Sequence, residues 1–208
     1  MKRVWMVVCT FLLLTGIHAQ QPPLDVDSGK VSGNKFESAF FKFQCEFPRG
    51  WSALNDDLRI TQNRQRHDEE LKNAREQQGA GTESQKPEIF SNYNLLVAAA
   101  VAVTSSDASV MPRINIWAHK RFGILANAGD HARFISQMPQ TKVLRAGEEL
   151  MLAGRKFVRA DFLHGTTSYH TQFVTVSGDY LVGFDFRAKT EKELNDLVAT
   201  MQTVKFNE

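Results

Sequence analysis

Cysteine is scarce in this chain: 208 residues carry two, and one of them, Cys9, lies in an N-terminal apolar stretch. With that stretch removed Cys45 stands alone, so no intramolecular disulfide can brace the fold and the core must hold it. An excess of one charge is also lacking. Lys+Arg number 25 against 23 Asp+Glu, and without Lys2 and Arg3 the two signs cancel, which excludes a basic footprint for nucleic acid or anionic lipid. Long apolar runs are missing too. The run at 4–14 is about half of the ~20 residues a membrane helix needs, and Tyr93–Thr104 also falls short, so no stable membrane span is expected after cleavage. No G-x-S-x-G, H-E-x-x-H, G-x-x-x-x-G-K or dinucleotide fingerprint occurs. Local motifs therefore imply neither a catalytic class nor a cofactor.

What is present starts with an address. Lys2 and Arg3 precede the apolar run, and Thr15–Ala19 forms a polar, small-residue exit. This three-part pattern predicts a signal peptide over 1–19, cleaved after Ala19, and hence a periplasmic or extracellular protein. Residues 20–35 contain Pro22, Pro23, Gly29 and Gly33 and read as a flexible lead-in. A single domain is expected over 36–208, since 42% hydrophobic content suffices for a packed core.

Phe41, Phe43, Cys45 and Phe47 alternate with Lys42, Gln44 and Glu46, the mark of a strand with one buried face. Cys45 on that face is expected to be a buried, inert thiol. Arg64–Gln78 holds strong helix formers but almost no apolar residues beyond Leu71 and Ala74, which predicts a charged helical insertion at about 64–78 that projects from the body. Over Tyr93–Thr104 a mostly large row of Tyr93, Leu95, Val97, Ala99, Val101 and Val103 is backed by a mostly small one. This predicts a long central strand covered on both sides, with a helix as the competing reading because alanine favours it. Ile114, Ile116 and Ala118 alternate with Asn115, Trp117 and His119, which predicts a second strand over Arg113–His119. Asp130 is expected to cap a short helix with Phe134, Ile135 and Met138 inward. Phe157–Leu163, Tyr169–Val176 and Tyr180–Arg187, separated by glycine-containing turns, predict an antiparallel meander. Thr190 and Glu193 form a capping box ahead of the stripe Leu194, Leu197, Val198 and Met201, so a docked amphipathic helix closes the chain.

Taken together, F-x-F-x-C-x-F-P-x-G-W ending at Trp51, Leu152-Ala153-Gly154-Arg155, and the strands and helix of Tyr180–Phe206 resemble the PsbP-like α/β/α sandwich superfamily, which includes secreted bacterial relatives of the DcrB type. The resemblance implies an α/β (α+β) fold with a central antiparallel sheet flanked by helices on both faces. It also implies a binding or assembly accessory, not an enzyme.

The candidate site residues follow from parity and from side-chain chemistry. Trp117 has the opposite parity to Ile114 and Ile116, with Arg113 beside it. It is either an anchor for a protein or small-molecule partner or, if a helix covers that face, part of the core. Leu71 is the corresponding anchor on the charged helix. His164 and His170 flank a presumed hairpin turn, and Asp161 is near in sequence, a set suited to a weak metal site or to acid–base work. His119 and His131 read as isolated surface residues. Arg159 and Asp161 share one side of a strand, as do Asp185 and Arg187, and these residues read as a charged face or a ladder of cross-strand pairs. The sequence thus supports an exported, non-catalytic binding or accessory protein of unknown partner. The alternative is a small hydrolase or metal-binding protein using His164, His170 and Asp161. N-terminal sequencing of the exported protein is expected to begin at Gln20; a product that retains residues 1–19 overturns the leader.

Overall fold

Alternation of apolar and polar residues, the pattern that makes a half-buried strand, governs most of the structure. The computed structural model describes residues 26–78, 92–103, 111–123 and 125–207; the expected leader 1–19 and the connection at 79–87 lie outside them. In chain order the elements are β1 (Lys30–Ser32), β2 (Lys35–Ser38), β3 (Phe43–Glu46), β4 (Ser52–Ala53), α1 (Asp56–Gln78), β5 (Asn92–Ala99), β6 (Arg113–Lys120) and α2 (Ala128–Ser136). They continue with β7 (Thr141–Leu152), β8 (Arg155–His164), β9 (Ser168–Ser177), β10 (Tyr180–Ala188), α3 (Glu191–Val198), a 3₁₀ turn (Ala199–Thr203) and β11 (Lys205–Phe206). A seven-stranded antiparallel sheet runs β4-β5-β6-β10-β9-β8-β7, and a smaller sheet runs β1-β2-β3-β11.

The main core lies between the two sheets. Ile116, Phe157, Phe173, Phe184 and Phe186 come from the large sheet, Phe36, Phe43 and Cys45 from the small one, and Leu194, Leu197 and Met201 from α3 and the turn after it. Each large side chain so buried contributes about 1.5–3 kcal/mol. Burial pushes the Cys45 thiol up to about 12, with Glu46 adding to the effect. The opposite face of the large sheet carries a smaller apolar cluster of Trp117, Val158, Val174 and Leu181 beneath α2. The large sheet therefore has helices on both faces.

Several expectations need correcting. The lead-in is not flexible where it is described: Val26 and Ser28 are buried, and Lys30–Ser32 pairs with β2. The aromatic strand joins the second sheet and not the large one. Parity along β5 is reset by a bulge between Asn94 and Leu96, so Tyr93 shares the oily face with Leu96 and Ala98 instead of with Val97. That strand also ends at Ala99, leaving Val101 in solvent. Strand β7 has no sequence signal, because almost all of its residues are exposed. It exists through its pairing with β8 and passes two register shifts on the way.

The charged helix starts at Asp56, eight residues before its expected beginning at Arg64, and it does not simply project. Strand β4 covers β5 only at Ala98 and Ala99, so the outer edge of β5 at Asn94 and Leu95 would be left with unpaired backbone groups. Side chains of α1 fill that place. Asn63 Nδ2 donates to the Asn94 carbonyl at 2.9 Å while the Asn94 amide donates to Asn63 Oδ1 at 3.0 Å, an imitation of strand pairing by a carboxamide. Arg59, 0% exposed, donates to the carbonyls of Ser28, Gly29 and Leu95 and to Asp56 Oδ1. Arg59→Met, which keeps bulk but strands those carbonyls, is expected to cost on the order of 3–5 kcal/mol in urea unfolding. Lys72→Ala on the exposed side should stay within about 0.5 kcal/mol.

Candidate functional site

The pleat of β10 places Phe184 and Phe186 in the main core and turns Asp185 and Arg187 to the other face. Cross-strand register then assembles a polar surface around them. Asn115 lies opposite Asp185, Trp117 opposite Gly183, and His119 opposite Leu181 on β6; Gln172 and His170 lie opposite Asp185 and Arg187 on β9. Gly183 is required here: a Cβ at that position would sit 2.1 Å from Trp117 Cζ2, so only glycine lets the indole lie across β10.

Helix α2 roofs part of this surface. Asn127 and Asp130 form its capping box. Its inward residues are Ala128, His131, Ala132 and Ile135, at i, i+3, i+4 and i+7. Phe134 and Met138, expected inward, are instead exposed. The tilted ring of His131 packs on the Trp117 indole at 4.7 Å between centroids. Its Nε2 lies 3.0 Å from Gln172 Oε1. His131 is thus a member of the site and no isolated surface residue.

Burial pulls the His131 imidazole down to about 4, against the opposing pull of Gln172, and also lowers His119. Both rings are neutral near pH 7. Burial alone would raise the Asp185 carboxyl, but Arg187 and His170 together hold it below the ordinary carboxylate range. The site therefore contains a fixed anion at 0% exposure, with Arg187 Nε donating to Asp185 Oδ2 and His170 Nδ1 3.4 Å from Oδ1.

Two adjoining cavities open on this face. One, of about 210 Å³, is lined by Asn92, Asn94, Asn115, Trp117, His119, His131, Gln172, Asp185 and Arg187. The other, of about 400 Å³, shares Gln172 and Arg187 and adds Met111, Ile135, Met138, Thr141, Phe162, His164, Ser168 and His170.

These cavities settle where the candidates lie. Trp117, 7% exposed, is both core and cavity floor, too deeply set to anchor a protein partner at the surface. Arg113 is buried opposite Arg187 and is no surface anchor either. Leu71 is half-buried in the outer part of α1 and lines neither cavity. His164 and His170 do come together, with ring centroids 6.4 Å apart. Asp161 does not join them: it pairs with Thr171 in register, points to the opposite face, and binds Arg145 and Arg159. Among the described residues no three His, Cys, Asp or Glu side chains are placed to hold a metal ion. The acid that reaches His170 is Asp185, which comes from the next strand. Asn115, His131, Gln172 and Ser168 were also missed; the legible signal was the pair Asp185 and Arg187 set between core phenylalanines.

No protein-family model and no curated protein matches the chain. Among solved structures it is similar to cyanobacterial PsbP (CyanoP) from Synechocystis sp. PCC 6803, at 13% identity over 89% of this chain and 100% of that one, with a TM-score of 0.46. Among the described residues no helix is long and apolar enough to cross a membrane.

The depressed His131 value links the site to stability. Above about pH 6.5 neither the folded nor the unfolded imidazole holds the extra proton. As pH falls through 6.5 the unfolded chain is protonated first, so stability declines until the folded value of about 4 is passed. The loss is on the order of 3 kcal/mol. Urea unfolding at neutral pH and near pH 4 is expected to show His131→Gln losing less stability on acidification than the wild type; equal losses would contradict the assignment.

Proposed function

We propose that the chain is an exported binding protein that holds a small, hydroxyl-rich polar ligand in the cleft between α2 and the large sheet. The carrying observation is Asn115. It is 9% exposed, lines the cleft, and its Oδ1 has no hydrogen-bond partner. Asn92 Oδ1 and His131 Nδ1, on the same walls, are likewise buried and unpartnered. A buried acceptor without a donor costs about 1–3 kcal/mol, and such a cost is retained where a ligand relieves it. Carboxamides offer donor and acceptor side by side, and Trp117 adds an aromatic surface, a combination suited to a compact ligand with several hydroxyls. The leader pattern at 1–19 supports export to the envelope or the extracellular space.

The test uses a panel of monosaccharides and polyols measured by isothermal calorimetry on the full mature chain. At least one member is expected to bind. Asn115→Leu, which removes the orphaned acceptor at nearly constant volume, is expected to weaken that binding at least about 10-fold while leaving the thermal midpoint equal or higher. Absence of heat from every member of the panel, or an Asn115→Leu variant that binds normally, overturns the proposal.

A further inference from the structure

The larger cavity holds a second arrangement that ligand binding in the neighbouring cleft does not use. Ser168 and His170 share one face of β9, and Ser168 Oγ lies 2.7 Å from His170 Nε2. The other ring nitrogen, Nδ1, lies 3.4 Å from Asp185 Oδ1 on β10. Phe162, directly opposite His170 on β8, stacks on the imidazole with centroids 4.6 Å apart and planes 19° from parallel, which fixes the ring's orientation. A carboxylate facing Nδ1 makes that nitrogen the proton-bearing one and leaves Nε2 free to accept the serine proton. The order serine, histidine, carboxylate is the one that activates a hydroxyl as a nucleophile, and it is recognised by geometry whatever the fold or sequence order.

We propose that Ser168, His170 and Asp185 form a nucleophilic relay that hydrolyses carboxylic esters bearing a small apolar acyl group. Met111, Ile135, Met138 and Phe162 give the cavity of about 400 Å³ an apolar wall for the acyl chain. Arg187 lines the same cavity, so a cation stands on its wall as the carbonyl oxygen gains charge. Ser168 Oγ bonds to the ester carbonyl carbon as its proton passes to His170 Nε2. The carbon–oxygen bond to the alcohol then breaks, and the leaving alcohol takes that proton. Water attacks the acyl-serine, giving a proton to Nε2, and Ser168 regains it as the carboxylic acid departs. Ester and water become acid and alcohol, and the protein returns to its starting state. Asp185 is a positioning residue that orients His170 and does not touch the substrate. This activity goes beyond the binding role, and it does not rest on the ligand proposed for the smaller cleft.

The experiment follows hydrolysis of p-nitrophenyl butyrate by the mature chain and its labelling by a fluorophosphonate probe, with the labelled peptide located by mass spectrometry. Saturable turnover and a label on Ser168 are expected. Ser168→Ala and His170→Gln should each lower kcat/KM by at least about 10²-fold with the thermal midpoint kept, and Asp185→Asn should lower kcat with KM little changed. If a variant fails to fold, the wild-type label still decides, because only an activated serine takes the probe. Turnover in Ser168→Ala equal to that of the wild type, a label on another residue, or no label at all overturns the proposal.

Discussion

One constraint, the pleat of β10, sets both the stability and the chemistry of this protein. Successive side chains of a strand must leave on opposite faces, so a single segment delivers Phe184 and Phe186 to the core while Asp185 and Arg187 go to the cavity face. The two faces cannot be changed independently. A one-residue slip would bury the charges among phenylalanines and expose the aromatic row, and the register on both sides of β10 opposes it. The buried Asp185 anion is tolerable only because that register brings Arg187 and His170 to it. Core and site are held in place by the same hydrogen-bond ladder.

The edge of the large sheet has an unusual solution. A helix with no apolar stripe normally has no reason to stay against a protein, yet α1 stays because its side chains complete the backbone hydrogen bonding of β5. Asn63 gives and receives as a paired strand would, Arg59 occupies three carbonyls, and Arg66 reaches the Asn92 carbonyl at 3.4 Å. These bonds attach the helix through polar side chains. It also connects Ser28 and Gly29 to the sheet, which is why residues 26–29 are held in place in spite of Gly29.

How much of this the sequence reveals depends on whether the cause is local. The terminal meander and α3 were legible because alternation, turn residues and the Thr190 cap act within a few residues. The bulge in β5 was not, since nothing in Asn94-Leu95-Leu96 marks the extra residue until β6 lies beside it. Strand β7 was invisible because an exposed edge strand carries no burial pattern. At the site, the histidine pair could be read from the hairpin turn, but its acid could not. Asp161 is nearer in sequence, yet strand parity faces it away, whereas Asp185 arrives from the adjacent strand. Arg59 is illegible in the sequence for a similar reason. The carbonyls it holds, those of Ser28, Gly29 and Leu95, lie 30 to 36 residues away on either side along the chain, and Asp56 beside it reads only as an ordinary helical ion pair.

The sealed position of Cys45 has a practical consequence. Its sulfur, packed between the sheets and ionising only at about 12, offers no thiolate to oxidoreductases or to a neighbouring molecule. The fold is therefore indifferent to the electron balance of the compartment in which it is made. A reducing host cytosol and an oxidising export space should yield the same molecule, which removes compartment choice as an obstacle to producing and handling it.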